Sequence, residues 1–384
     1  MLVHGPYPVG EERVLREARA AQAQGWEVDV VAFRRPGEPR RETLDGCRVY
    51  RLPLTTLPRT AVQVPFEYLG FLLLASIWLL RGLARPYDVV QVHSPPDFLL
   101  AAAAIPRLRG TRVALDVHDF ATELFELHFS HAPVVVRRAL AHIERWAFRT
   151  ADAVITVNER YAERIAAIRG AKAQVVLNSL DEGLLPEDLP PARPAFRIVT
   201  HGTLNVHYGV DVLLEAFREV KDAVPDARLE IYGDGDAVDL IRRRIRELQL
   251  GDDVAFQGRY LPQREALRLV SGADVGVVAN LGLPRNHAAL PVKLLEYVAM
   301  GIPVVTSDLT AIHDYFGNDE LVFVPPGDSG ALAAALVDVA QSPEDAAARA
   351  RRASARYAAY RWDAQAAEYL ALLEALAEDY AAKR

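Results

Sequence analysis

The chain has a single cysteine, Cys47, among its 384 residues. An internal disulfide therefore cannot form, a cysteine-based zinc site is excluded, and a reducing, cytoplasmic compartment is expected. Basic residues are also in deficit, because the formal net charge is -7 and the pI is near 5.9. Nucleic acid is not an expected partner, since its phosphates require a concentrated basic surface. No G-x-G-x-x-G follows the first strand-like run, which disfavours a dinucleotide-dependent dehydrogenase.

Long apolar runs are scarce as well. The N-terminus has no charged region followed by a long apolar stretch, so it does not resemble a signal peptide. The most apolar segment, Tyr68 to Leu80, is shorter than the roughly 20 residues that span a bilayer. We interpret it as a buried helix of the first domain. The alternative is a peripheral membrane contact through residues 64–85 at the inner face of the membrane, aided by Arg81 and Arg85.

Strand-like runs alternate with helical stretches, which predicts parallel sheets with helices on both faces. The scheme occurs twice, and a chain above about 250–300 residues is expected to split into two domains. The runs are VDVVAF, YDVVQVH, RVALDVHD, AVITV and QVVLN in the first half, and FRIVTHG, ARLEIYG, DVAFQG, DVGVVA and PVVTS in the second.

Proline marks the boundary between the two halves. Four prolines between positions 186 and 194 prevent a helix or a paired strand from continuing. We therefore predict an N-terminal domain at 1–182, a linker at 183–195 and a C-terminal domain at 196–363. The alanine-rich segment 364–384 has apolar residues at helical spacing and is predicted to form a helix that packs back on the N-terminal domain.

Ligands of open parallel sheets bind at the carboxyl ends of the strands. The richest stretch near such an end is LPVKLLEYVAMGIPVVTS, from Leu290 to Ser307. It begins as a helix whose free N–H groups favour an anion. Lys293 and Glu296 are three residues apart, so they share one face of its first turns. A cation and a carboxylate there suit a diphosphate and ribose hydroxyls, but the same spacing also fits an ordinary surface ion pair.

The stretch PVKLLEYVAMGIPVV resembles the signature of the family 4 retaining glycosyltransferases of the GT-B fold. Other stretches resemble the same family in the same order, so the resemblance covers nearly the whole chain. It implies an α/β fold of two Rossmann-like, doubly wound domains that face each other across a cleft. It also implies metal-independent, hexosyltransferase-like transfer from a nucleotide-sugar substrate, without a cofactor.

In the first half, the resemblance rests on a glycine loop at Gly10 and on two strand exits, VHSPPD and DVHDFATE. It implies that Gly10 lets the backbone approach the donor diphosphate, and that His118 reaches the donor sugar. Asp97, Asp119 and Glu123 are expected on the acceptor side. No side chain is a convincing covalent nucleophile.

In the second half, HGTLNVHYG resembles a donor-binding loop that usually carries an arginine and a lysine, whose places Thr203 and Tyr208 take. Ala288 likewise replaces the first of two paired glutamates, while Glu296 matches the second. Asp234 and Asp236 suggest a metal site, but a glycine turn after a strand is the preferred interpretation. Together with the catalytic candidates His118, Lys293 and Glu296, the expected donor-binding residues are Thr203, Asn205, Tyr208, Gly258, Arg259, Leu290, Pro291 and Val292.

The expected function is retaining transfer of a sugar from a UDP- or GDP-linked donor to a hydroxyl of a glycan, a lipid-linked saccharide or a small molecule, as in the biosynthesis of cell-envelope polysaccharides. Two alternatives remain open from the residues. One is a nucleotide-sugar epimerase of the same architecture. The other is a partner subunit with weak or lost donor binding, which the replacements at Thr203, Tyr208 and Ala288 motivate.

Overall fold

The computed structural model describes residues 1–54, 63–129, 133–186 and 195–382. The chain divides into two compact units. The first comprises Met1–Leu177 together with Gln365–Arg384, and the second comprises Asn178–Ala364. Most of the predicted linker, 187–194, lies outside the described residues.

The first unit is built on an eight-stranded sheet with the order β3-β4-β2-β1-β5-β6-β7-β8. Every neighbouring pair is parallel except β3 and β4, which form an antiparallel hairpin. The strands are β1 Leu2–Pro6, β2 Asp29–Phe33, β3 Arg41–Leu44, β4 Cys47–Leu52, β5 Val89–Ser94, β6 Arg112–Val117, β7 Ala153–Thr156 and β8 Gln174–Val175.

Helices connect these strands, and their ends follow local sequence chemistry. The helix at Glu159–Arg169 is an example. It begins after Asn158, whose Oδ1 accepts a hydrogen bond from the Tyr161 N–H, and it ends at Gly170, which adopts a left-handed conformation. The helices are α1 Glu12–Ala23, α2 Gln63–Leu79, α3 Ala104–Leu108, α4 Ala121–His128, α5 Val134–Thr150 and α6 Glu159–Arg169, with 3-10 turns at Leu80–Leu83 and Asp97–Ala103.

Helix α2 corrects the expectation of a fully buried helix. Its inner face, with Phe71 and Ala75, is fully buried. Its outer face exposes a row of large apolar side chains, whose exposed fractions are 70% for Phe66, 59% for Leu69, 61% for Leu73 and 53% for Ile77. Within the described residues, no helix combines the length and apolarity needed to cross a membrane.

The second unit contains a six-stranded, all-parallel sheet with the order β11-β10-β9-β12-β13-β14. The strands are β9 Arg197–Thr203, β10 Arg228–Asp234, β11 Val254–Gly258, β12 Val275–Val278, β13 Val304–Ser307 and β14 Val322–Val324. The helices are α7 Val210–Ala223, α8 Val238–Glu247, α9 Gln263–Val270, α10 Pro284–Ala288, α11 Val292–Ala299, α12 Thr310–His313, α13 Ser329–Gln341 and α14 Pro343–Tyr357, with 3-10 turns at Glu182–Leu184, Val206–Tyr208, Gly251–Asp253 and Ala358–Tyr360.

The last helix, α15 Trp362–Ala382, belongs to the first unit from Gln365 onward. Its buried residues Tyr369, Leu373, Leu376 and Tyr380 recur at helical spacing. The amide of Gln365 also accepts a hydrogen bond of 2.7 Å from the Leu177 N–H. The chain therefore returns to the first unit after completing the second.

Both sheets are doubly wound, which confirms the predicted fold class. Numbered within its own unit, the second sheet has the order 3-2-1-4-5-6 of a dinucleotide-binding fold, and its direction of winding reverses between β9 and β12. In the first unit the reversal lies between β1 and β5. In such sheets a ligand is expected at the carboxyl edge near these two points.

One close backbone approach in the second unit is open to test. Gly209, the residue just before α7, has a φ of +64°. A Cβ there would lie 2.1 Å from the carbonyl oxygen of Ala279. We expect Gly209→Ala to cost about 3 kcal/mol, because both the backbone and the neighbouring strand exit must move. That corresponds to a fall of roughly 6–12 °C in the thermal midpoint of unfolding.

Gly170→Ala is the matched control. Gly170 also has positive φ, +80°, but a Cβ there meets nothing within 4 Å. Its cost should be about 1 kcal/mol, from backbone strain alone. Equal midpoints for the two variants would show that the contact with Ala279 is unimportant.

Candidate active site

At the carboxyl edge of the first sheet, two histidines meet around one carboxylate. His93 and Asp116 are paired across β5 and β6, and His118 follows β6 directly. Asp116 Oδ2 lies 3.1 Å from His93 Nδ1 and 3.0 Å from His118 Nε2. His93 and Asp116 are buried, whereas the His118 side chain is 23% exposed. His118 is therefore the member of the trio that a ligand can reach.

Helix α1 supplies the arginine that binds the Asp116 carboxylate. Arg13 donates from Nε to Asp116 Oδ2 and from Nη2 to Asp116 Oδ1, both at 2.9 Å, and from Nη1 to the carbonyl of Val176 at 2.7 Å. Asp116 thus accepts two hydrogen bonds from Arg13, and its Oδ2 also lies within hydrogen-bonding distance of both histidines, whose facing nitrogens are 3.2 Å apart. The possible ligand atoms of the trio lie within 4.8 Å of one another, and the charge of its carboxylate is balanced by the Arg13 guanidinium.

These contacts set the protonation states. Burial opposes ionisation of Asp116, but Arg13 and the two histidines hold its pKa well below the usual range. Burial lowers the pKa of His93 to about 4, so His93 is neutral at pH 7. Burial also acts to lower the pKa of His118, but Asp116 outweighs it and the pKa rises. His118 therefore gains a proton more readily than a free histidine.

The structure does not bring the three predicted acceptor-side carboxylates together with His118 by hydrogen bonds. Asp97 is only 2% exposed, accepts a hydrogen bond from the Ser94 hydroxyl, and has a pKa raised to about 7 by burial. Asp119 accepts a hydrogen bond of 3.4 Å from the Tyr161 hydroxyl. Glu123 forms an ion pair of 2.5 Å with Arg164.

In the second unit, Glu296 and Lys293 lie on the first turns of α11, as the spacing predicts. Glu296 is buried, and both its oxygens have partners: His201 Nε2 lies 2.8 Å from Oε2, and Gln263 Nε2 donates to Oε1 at 2.7 Å. The other ring nitrogen of His201 lies 2.9 Å from the Tyr297 hydroxyl. The carboxylate of Glu296 is therefore held by a partner on each oxygen.

Lys293 is held between an aromatic ring and a strand end. Its Nζ lies 5.4 Å from the centre of the Tyr208 ring. A Cβ at Gly202 would lie 3.8 Å from Lys293 Cε. Burial lowers the pKa of Lys293 to about 8, and Glu296 only partly offsets this. The residue in place of the expected lysine, Tyr208, therefore touches the lysine that remains.

Three glycines lie side by side where β9, β10 and β11 end. Gly233 is in register with Gly202 on one side and with Gly258 on the other. The approach is close, because a Cβ on Gly233 would lie 1.8 Å from the carbonyl oxygen of Gly202. The three glycines add no side chains of their own to this part of the carboxyl edge, although the side chains of Phe256, Val238 and Arg242 lie close to Gly258. Thr203 is exposed next to Gly202, at the end of β9.

The other predicted donor-binding positions fall around this edge. Arg259 follows Gly258 and forms an exposed ion pair of 2.9 Å with Glu265. Asn205 accepts a hydrogen bond from the Asp236 N–H. Leu290, Pro291 and Val292 lead into α11, where the first N–H groups lack intrahelical acceptors. Gly10, in the first unit, is exposed just before α1.

The aspartates of YGDGD belong to the turn after β10. Asp234 Oδ1 accepts a hydrogen bond from the Gly235 N–H, and Asp236 Oδ1 accepts one from the Val206 N–H. This agrees with the preferred interpretation of a glycine turn.

Sequence reasoning missed the supporting residues Arg13, Glu17, His201 and Gln263. His201 had a usable signal, since it stands at a strand exit in FRIVTHG. Arg13 lies in the middle of α1, where its place opposite Asp116 depends on packing that the sequence does not express.

Comparisons with known proteins agree with this architecture. Residues 10–180 match the model of the glycosyl transferase 4-like domain, and residues 195–342 match that of the glycosyl transferases group 1. Together the two models cover most of the chain.

One similar curated protein is the 2-deoxystreptamine glucosyltransferase of Streptomyces kanamyceticus, 26% identical over 88% of this chain and 91% of that protein. Among solved structures, sucrose-phosphate synthase from Thermosynechococcus elongatus has a TM-score of 0.76 at 20% identity, covering 98% of this chain and 95% of the other. Anabaena HepE in complex with UDP-glucose has a TM-score of 0.70 at 16% identity, covering 97% and 98%. The chain belongs to the family 4, group 1 glycosyltransferases of the GT-B fold.

Proposed function

We propose that this glycosyltransferase moves a hexose from a UDP- or GDP-linked donor to a hydroxyl acceptor, with retention of configuration and without a metal ion. The observation that carries the proposal is the pairing of Lys293 and Glu296 at the start of α11. They lie beside the glycine-lined ends of β9 to β11 in a doubly wound unit.

This site suits a sugar diphosphate for electrostatic reasons. Cleavage of the bond from sugar to phosphate builds negative charge on the leaving diphosphate, which requires preorganised donors. The N–H groups at the start of α11 and the Lys293 ammonium supply them. Glu296, already fixed by His201 and Gln263, is suited to accept hydrogen bonds from ribose hydroxyls.

UDP-glucose is the donor that we propose to test first. The similar S. kanamyceticus protein is named as a glucosyltransferase, and the Anabaena structure contains UDP-glucose. We propose that backbone groups near Gly258 and Arg259 select the base, which leaves GDP-linked sugars as the second choice.

For the transfer step we propose that His118 contacts the transferred sugar. The family resemblance motivates this role, and the partial exposure of His118 permits it. A polar group held by Asp116 is suited to stabilise charge that develops on the sugar. Asp119 and Glu123, near the start of α4, are proposed for the acceptor side.

We further propose that the protein is cytoplasmic and contacts the membrane peripherally through α2, which favours a lipid-linked acceptor. The outer face of α2 carries only apolar side chains among its exposed residues, from Phe66 to Ile77. The acidic residue of the helix, Glu67, lies 3.6 Å from His4 on the inner side. Exposed Arg81 and Arg85 follow the helix, although the chain as a whole is acidic. This charge pattern suits anionic lipid.

Binding of UDP, measured by titration calorimetry, tests the donor site. We expect affinity to fall about tenfold as the pH rises from about 7 to about 9, because Lys293, with a pKa of about 8, loses its charge. Lys293→Ala should bind weakly and show no such pH dependence. Lys293→Arg should bind at both pH values, since arginine stays protonated.

Lys172→Ala serves as the control for the loss of one lysine. Lys172 lies on the surface of the first unit, paired with Glu159 at 2.7 Å, so its removal should leave UDP binding unchanged. Absence of heat with both UDP and GDP would contradict the proposal and favour a subunit without donor binding. Conversion of UDP-glucose to another sugar nucleotide without an acceptor would favour an epimerase.

Flotation with lipid vesicles tests the membrane contact. Wild-type protein should float with phosphatidylcholine vesicles that contain phosphatidylglycerol, and less with phosphatidylcholine alone. Leu73→Glu should reduce flotation at least tenfold, because burial of an exposed leucine contributes about 1.5–3 kcal/mol and a carboxylate repels the surface. Ala355→Glu, on an exposed position of α14, is the matched control. Equal flotation of the two variants would refute the contact.

A further inference from the structure

A continuous buried chain of polar side chains joins the C-terminal helix to His118. It begins at the Tyr369 hydroxyl on α15, which donates to Gln91 Oε1 at 2.6 Å. Gln91 Nε2 then donates to Glu17 Oε2 at 2.7 Å. Glu17 Oε1 lies 3.1 Å from Arg13 Nε in an ion pair without a hydrogen bond, and Arg13 binds Asp116 through two hydrogen bonds.

Every member of this chain before His118 is nearly inaccessible. Tyr369, Glu17 and Asp116 are fully buried, and Gln91 and Arg13 are 3% and 4% exposed. Buried polar groups that lose a partner are costly, so each link fixes the next one. The network is therefore a rigid connection through the core and not a set of separate surface pairs.

Asp116 also fixes the hydrogen of the His118 ring. An ionised carboxylate only accepts hydrogen bonds, and His93 Nδ1 also lies 3.2 Å from His118 Nε2, so we assign the hydrogen that faces Asp116 to His118 Nε2. His118 faces it with Nε2, and His93 with Nδ1. In neutral His118 the free lone pair is consequently on Nδ1, the nitrogen turned away from Asp116.

The charge on this network depends on the carboxyl groups of Glu17 and Asp116 and on the guanidinium of Arg13. Burial and the nearby Asp116 raise the pKa of Glu17 to about 8, against the opposing effect of Arg13. Glu11, the residue just before that helix, has a pKa raised to about 7 by burial. His93 from β5, the amino group of Met1 and Tyr369 from α15 also face the network. With a pKa of about 8, Glu17 is mostly protonated at pH 7, and it adds negative charge behind the Arg13–Asp116 pair only as the pH rises above about 8.

We infer that Arg13, Glu17 and Asp116 are positioning residues for His118, and that Tyr369, acting through Gln91, couples the C-terminal helix to the tautomer and charge of that histidine. The inference rests on the proposed role of His118 in transfer. It adds that the last helix of the chain, remote in sequence, is needed to hold His118 in one protonation pattern.

Long-range proton–nitrogen NMR of protein labelled with 15N at histidine tests this directly, with His118 assigned from the spectrum of His118→Asn. The wild type should show His118 as the Nε2–H tautomer at high pH. Glu17→Gln should remove the part of the His118 titration that extends above about pH 8, where ionised Glu17 stabilises the imidazolium, and so lower the apparent His118 pKa by up to roughly half a unit. Tyr369→Phe should lower it by less, because freed Gln91 supports the Glu17 carboxylate less well.

Tyr380→Phe is the matched control, since Tyr380 is another buried tyrosine of α15, 4% exposed. It should leave the His118 titration unchanged. The substitutions to Gln and Phe are close to isosteric, and the thermal midpoints should confirm that each variant is folded. Asp116→Asn is avoided, because it would leave the Arg13 charge buried without its anion.

The outcomes separate the network from the proposed function. An Nδ1–H tautomer in the wild type, or a His118 pKa that Glu17→Gln and Tyr369→Phe leave unchanged, would overturn the inference. A shifted pKa with a matching shift in the pH profile of sugar transfer would support it. A shifted pKa with an unchanged transfer profile would retain the network but remove His118 from the reaction.

Discussion

Parallel pairing of strands is the constraint on which the site depends. All strands of a parallel sheet leave it at the same edge, so residues far apart in sequence are brought together there. His93 and His118 are neighbours because β5 and β6 are parallel and in register. Gly202 and Gly233 are neighbours because β9 and β10 are. Both groupings arise from strand pairing and not from a dedicated loop. The residue types at the strand ends therefore decide the chemistry, and two similar sheets can differ in it.

The two units use this edge in opposite ways. In the first unit the edge is filled by a buried ion pair, Arg13 with Asp116, whose separation from water makes each hydrogen bond costly to break. In the second unit three glycines lie side by side near the strand ends, and the charged groups stand on α11 beside them. The first arrangement fixes one imidazole in place, and the second brings a lysine close to a glycine of the sheet edge.

Much of this could be predicted from sequence, because strands and strand exits are local signals. All ten strand-like runs became strands, and Lys293 and Glu296 lie on one helix as their spacing indicates. The β3–β4 hairpin was missed, although Asp45 and Gly46 between its strands both adopt positive φ, as an Asp-Gly turn predicts. The short strand β14 was also missed, because three residues carry little periodicity.

Pairings that cross the core were beyond sequence reasoning for a different reason. The contacts of Glu296 with His201 and of Glu17 with Gln91 join positions 95 and 74 residues apart. Only the packing of a helix on a sheet decides which polar side chains meet. Helix α2 illustrates the same limit, since composition alone did not reveal which of its apolar residues face the core.

At the proposed donor site, the replacements at Thr203 and Tyr208 change the electrostatics instead of simply weakening binding. With Tyr208 beside it, Lys293 has an aromatic ring where a second cation would repel it. Burial is the larger effect on Lys293, and it lowers the pKa of this lysine to about 8. A diphosphate bound there would reverse this balance, because its negative charge would stabilise the ammonium. The proposed ligand would then complete the positive charge of its own site.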